Sequence, residues 1–253
     1  MLQNTPRHLV AGLVGPIEIA LDFPAPHLPC RGMAFVGHPH PLYGGTLENK
    51  VAATLARTYA SLGWFTVRPN FRGVGRSAGQ HDEGRGEALD LLHLIDTRHQ
   101  WAPPLMQEAG ALLHTTPAPQ AALALAGFSF GSFVATQVAC ALFERGIAVQ
   151  SLVLAGTAAG KWAFPELPDA LRGRTLLVHG ELDNTIPLAN VLDWARPQEL
   201  PILVFPGGDH FFHRRLTRLR DYVAQHIAAH FEEGENRPLS QPSIRPQSID
   251  AAG

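Results

Sequence analysis

The stretch AALALAGFSFGSFVATQVACALFE (residues 121–144) decides the fold. Its opening run of alanine and leucine reads as a strand covered on both faces. The closing FVATQVACALFE fits a helical period over residues 130–144. Between them lies Gly127-Phe128-Ser129-Phe130-Gly131, a G-x-S-x-G turn. A serine on a sharp strand-to-helix turn sits in strained backbone. Its neighbours two positions away must be small, because strand and helix come very close there. The helix N-terminus then aims free N–H groups at developing negative charge. The pattern alone is common and also fits a glycine-rich loop. The strand–turn–helix context is what makes Ser129 the candidate nucleophile.

Working outward, the same alternation recurs. Apolar runs lie at MAFVGH (33–38), WFTVRP (64–69), SLVLAG (151–156), TLLVHG (175–180) and ILVFPG (202–207). Helical spacing is expected over 46–62, 84–100, 130–144 and 213–231. The first of these begins at Thr46 and places Glu48 in its first turn. Strand–helix–strand alternation predicts an α/β fold with a mostly parallel central sheet and helices on both faces. The start differs: HLVAGL (8–13) and PIEIALDF (16–23) flank a Gly-Pro turn and read as an antiparallel hairpin. Residues 102–120, rich in Pro and Ala, read as a helix end plus loop. One domain is expected over 1–233. Residues 234–253, with Pro, Ser, Gln and Asn and no apolar period, are expected to be a disordered tail.

The 253 residues are 45% hydrophobic and 17% charged, enough apolar material for a buried core. The formal net charge of -2 leaves no basic excess to neutralise phosphates, so nucleic acid is not expected as a partner. No apolar run approaches the ~20 residues that span a bilayer, so no membrane partner is expected. The N-terminus lacks a charged-then-apolar leader, so a soluble, cytoplasmic protein is expected. Cys30 and Cys140 belong to no CxxC pair and read as two buried thiols.

Two further chemical groups follow strand ends, where open α/β sheets place their sites. After TLLVHG comes Glu181-Leu182-Asp183, and after ILVFPG comes Gly208-Asp209-His210. The order serine, acid, histidine makes Asp183 and His210 the candidate partners of Ser129, with Glu181 and His213 as rivals. Oxyanion donors are expected from the backbone N–H groups of Phe130, just after the nucleophile, and of His40, in the loop after MAFVG. His40 lies between Pro39 and Pro41, which cannot donate, and Leu42 or Tyr43 is the fallback. Histidines 38, 40, 210 and 213 fall near one sheet edge, but no zinc-binding spacing is present, so no metal is expected. Tyr43, Phe128 and Phe211 are candidates for the substrate pocket wall, beside Phe130 and Phe212.

HPHPLYGGTLENK (38–50), RPNFRGVGRSAG (68–79), GFSFG (127–131), HGELDNTIP (179–187) and GGDHFFH (207–213) together make the chain resemble the α/β-hydrolase superfamily over roughly residues 8–232. It is most similar to the small, lidless bacterial branch of predicted serine esterases. The resemblance implies an α/β-hydrolase fold and acyl transfer to water from a small acyl substrate, without a cofactor. The R-G-x-G-x-S loop at 72–77 is expected to tie neighbouring loops through Arg72 or Ser77. Only residues 156–173 separate two strands where related enzymes insert a helical lid, too few for a full one. Relatives with a cysteine nucleophile, and epoxide hydrolases and dehalogenases with an aspartate, differ at position 129. A non-catalytic binding module on this scaffold, or an acyltransferase or peptidase using the same triad, are the alternative readings. Oligomeric state is not legible in the sequence.

Overall fold

The computed structural model describes residues 5–25, 27–108 and 122–236. The chain opens with β1 (Arg7–Ala11), β2 (Pro16–Asp22) and β3 (Gly32–Gly37). There follow α1 (Lys50–Ser61), β4 (Trp64–Pro69), α2 (Arg85–Asp96) and α3 (Arg98–Glu108). The second half runs β5 (Ala122–Phe128), α4 (Phe130–Glu144), β6 (Val149–Ala155), the one-turn α5 (Asp169–Arg172), β7 (Thr175–Gly180), α6 (Leu188–Ala195), β8 (Ile202–Phe205) and α7 (Leu216–Asn236). Eight strands form one sheet in the order β1-β2-β4-β3-β5-β6-β7-β8. β1 and β2 pair as an antiparallel hairpin and β2 pairs antiparallel with β4; the remaining pairs are parallel. This is the expected architecture, with β3 and β5 adjacent at the centre.

The alternation of side chains along the central strands sorts the core into two layers. Leu123 and Leu125 of β5 join Met33, Phe35, Leu152 and Leu154 beneath α2 and α4. Ala124 and Ala126 join Ala34, Val36, Val153 and Ala155 beneath α1 and α7. Small residues on the second face let α1 and α7 lie close to the sheet and to one another.

Several boundaries differ from expectation. Helix α1 starts at Lys50 rather than Thr46, because Asn49 caps it: its Oδ1 accepts from the Val51 and Ala52 amides at 2.9 and 3.2 Å. The single helix expected over 84–100 is two, broken at Thr97. α3 keeps Pro103 and Pro104 inside it, held by the burial of Trp101, Ala102 and Met106. Packing there outweighs the local penalty of proline. Helix α7 runs to Asn236, past the expected domain end at 233. The rest of the expected tail, and the loop expected beyond α3 up to residue 120, lie outside the described residues. Between β6 and β7 stands only the four-residue α5, with no inserted domain.

Candidate active site

Ser129 follows β5 directly and has φ 56°, ψ -121°, a conformation costly for any residue with a side chain. Its amide donates to the Ala155 carbonyl at 2.9 Å, which pins the turn to the end of β6. The flanking glycines are required by contact. A Cβ on Gly127 would fall 2.0 Å from the Gly131 carbonyl oxygen, and one on Gly131 would fall 2.3 Å from that of Gly37. The end of β3, the end of β5 and the first turn of α4 thus meet backbone to backbone.

The structure brings the three expected side chains together. Ser129 Oγ lies 3.0 Å from His210 Nε2, and His210 Nδ1 lies 2.6 Å from Asp183 Oδ2. Asp183 Oδ1 accepts from the amides of Thr185 and Ile186 at 2.9 and 2.7 Å. An ionised carboxylate only accepts, so His210 Nδ1 carries a proton and Nε2 is left to accept from the serine hydroxyl. Burial alone pushes the Asp183 carboxyl up. The bonds from His210 and the Ile186 amide, with the electrostatic influence of the His210 and His179 rings, outweigh it and hold the group below its ordinary value.

Both rivals are engaged elsewhere. Glu181 accepts from the Gly207 amide at 2.7 Å. His213 is exposed and pairs with Asp209 at 2.6 Å. His38 is fully buried and both its nitrogens are used: Nδ1 donates to the Pro39 carbonyl at 2.6 Å, and Nε2 accepts from the Phe71 amide at 2.9 Å. Burial lowers its pKa to about 4. In the loop that follows β4, Arg72 grips Asp90 through two bonds of 2.6 and 3.0 Å. Ser77 donates to the Asn70 carbonyl at 2.7 Å and accepts from the Glu18 amide at 2.9 Å.

On the oxyanion side, the two fallback amides are already engaged. Leu42 N–H donates to His40 Nδ1 at 3.2 Å, and Tyr43 N–H donates to the His40 carbonyl at 3.2 Å. Among the described residues, no turn or loop carbonyl accepts from the amide of His40 or of Phe130. Phe130 is the first residue of α4, where amides have no intrahelical partner.

A cavity of about 670 Å³ opens over Ser129, walled by His40, Tyr43, His81, Trp162 and Ile186, with Glu83 and Lys161 adding charge. Of the five expected wall residues, Tyr43 borders this cavity, and Phe128, Phe130, Phe211 and Phe212 do not. Phe128 is fully buried and packs under His210, ring centroids 4.9 Å apart, because it continues the Ala124–Ala126 face of β5. Phe211 is exposed and packs against the edge of His210 at 5.1 Å. His81, Trp162 and Ile186 went unread because they sit in loops, where no periodicity reports direction.

His179 opens HGELD (179–183), and no signal in the sequence marks it out. It is fully buried, donates through Nε2 to the Ile186 carbonyl at 2.9 Å, and sits 3.2 Å from Asp183 Oδ2. It braces the turn that presents the carboxylate.

Known proteins share this fold. No protein-family model matches the chain. Among solved structures it is similar to XC6422 from Xanthomonas campestris, described as a member of the α/β serine hydrolases without a lid. The two share 31% identity over 90% of this chain and 96% of that one, with a TM-score of 0.73. An α/β serine hydrolase homologue from Coxiella burnetii shares 30% identity over 89% and 98% of the two chains, with a TM-score of 0.67. The chain belongs to the α/β-hydrolase superfamily, among its serine hydrolases. A curated relative, the uncharacterized protein RP471 of Rickettsia prowazekii, is 38% identical over 110 residues, which span 44% of this chain and 40% of that protein. Among the described residues no helix is long and apolar enough to cross a membrane.

Proposed function

We propose that this hydrolase cleaves a carboxylic ester, or a related acyl bond, of a small substrate through an acyl-enzyme on Ser129. The observation that carries the proposal is the buried Ser129–His210–Asp183 relay, with links of 3.0 and 2.6 Å, open to a cavity on the serine side. His210 Nε2 takes the hydroxyl proton as Ser129 Oγ bonds to the substrate carbonyl carbon. The carbonyl oxygen becomes an oxyanion and is bound by the free amides of His40 and Phe130. Collapse expels the leaving alcohol, which receives the proton from His210. Water then attacks the acyl-enzyme with His210 again as base, releasing the acid and restoring Ser129. Asp183 holds the imidazole tautomer throughout, and no cofactor takes part.

The two cysteines are free thiols, half-buried at Cys30 and Cys140, and they suit the reducing cytoplasm proposed as the compartment. A small acyl compound is the proposed partner; nucleic acid and membrane are not. Covalent labelling with a fluorophosphonate, read by intact mass and peptide mapping, tests the proposal. Label on Ser129 of the wild type and none on Ser129→Ala is expected, with ester turnover lowered by a factor of about 10³ or more in the variant. A folded wild type that takes no label, or a variant that keeps near-normal turnover, overturns it.

A further inference from the structure

A second imidazole–carboxylate pair opens into the same cavity as Ser129, and the relay does not use it. His81 Nδ1 lies 2.8 Å from Glu87 Oε1. Glu87 is fully buried and also accepts from the amides of Asp82 and Gly84 at 3.0 and 2.9 Å. A carboxylate receiving three bonds is an acceptor at each, so in the neutral ring His81 carries its proton on Nδ1 and leaves Nε2 as an acceptor. His40 is fixed in the opposite sense. Its Nδ1 accepts from the Leu42 amide at 3.2 Å, so the neutral ring carries its proton on Nε2. Both rings border the cavity, and among the described residues neither Nε2 has a partner or is sealed from solvent. The rings lie 4.6 Å apart, and each rests on Phe130, at 5.0 Å for His40 and 5.2 Å for His81. One donor and one acceptor therefore stand side by side against Phe130, and His40 and Phe130 are the two residues whose amides are proposed to bind the oxyanion.

We propose that His40 and His81, the latter oriented by Glu87, form a subsite for a hydroxyl group carried by the substrate within a few atoms of its carbonyl. A hydroxyl oxygen accepts from His40 Nε2–H and donates its own proton to His81 Nε2. One oxygen can sit about 2.8 Å from each of two nitrogens that lie up to about 5.6 Å apart. A methyl group in the same place leaves both nitrogens without a partner in a half-closed cavity, which is disfavoured. The inference rests on the ester-hydrolase reading and adds the substrate class to it.

Matched ester pairs test it. On the acid side, p-nitrophenyl propanoate and butanoate are set beside their 2- and 3-hydroxy counterparts. On the alcohol side, ethyl butanoate is set beside 2-hydroxyethyl butanoate in a pH-stat. In the wild type at least one hydroxylated ester should exceed its plain counterpart about tenfold in kcat/KM. In His81→Phe, which keeps a ring against Phe130, that ratio should fall to about one. The ratio is taken within each protein, so a general loss of activity in the variant cancels. Plain esters turned over with no preference in any pair overturn the subsite and leave the hydrolase reading standing, whether or not the variant folds. A preference that survives intact in His81→Phe also overturns it. Absence of both fluorophosphonate label and ester turnover overturns the hydrolase reading, and the subsite falls with it.

Discussion

Asp183 shows how much a single side chain organises. One oxygen is held by two backbone amides and the other by His210, with His179 pressed beside it. Asparagine in its place keeps an oxygen for the Thr185 and Ile186 amides. It then presents its NH₂ group to His210 Nδ1, which must accept. The proton moves to Nε2, and the imidazole can no longer take one from Ser129. Asp183→Asn should therefore fold normally and lose about 10⁴ in kcat. Ester turnover beside a circular dichroism spectrum checks this, and a rate within tenfold of wild type would sink the tautomer argument.

Between residues and the whole, the strands carried most of what the sequence made legible. Each candidate for the relay follows its own apolar run, so chain order and strand ends single out Ser129, Asp183 and His210. Direction was harder to read. Phe128 shares the even-numbered face of β5 with Ala124 and Ala126, so a strict count of two along the strand already assigns it to the core under α1 and α7. Its position beside the nucleophile masked that count. Helix ends were misread where capping or packing decides: Asn49 rather than Thr46 starts α1, and buried Trp101 and Met106 carry α3 across two prolines. His81 and Trp162 reach the cavity from loops, and their placement depends on contacts distant in the chain.

Across the whole molecule, buried neutral histidines link stability to acidity. His38 joins the loop after β3 to the loop after β4, and its pKa falls from the ordinary 6.5 to about 4. Between these values the unfolded chain holds a proton that the folded chain refuses. Stability is therefore full above pH 6.5 and declines as pH falls towards 4, by up to about 3 kcal/mol from this group. His226, lowered to about 4 by burial and by neighbouring His230, acts in the same direction. Urea melts between pH 7.5 and 4.5 should show the decline. His38→Gln should start less stable and fall less steeply, and parallel slopes would remove His38 from the account. The backbone of Ser129, at φ 56°, carries a consequence of another kind. Glycine adopts that conformation without the penalty of roughly 1–3 kcal/mol that a side chain meets there. Ser129→Gly should then melt a few degrees above wild type while hydrolysing nothing, and calorimetry showing a lower melting temperature would refute this. Under the proposed reaction, chemistry and robustness pull in opposite directions at this one position of the chain.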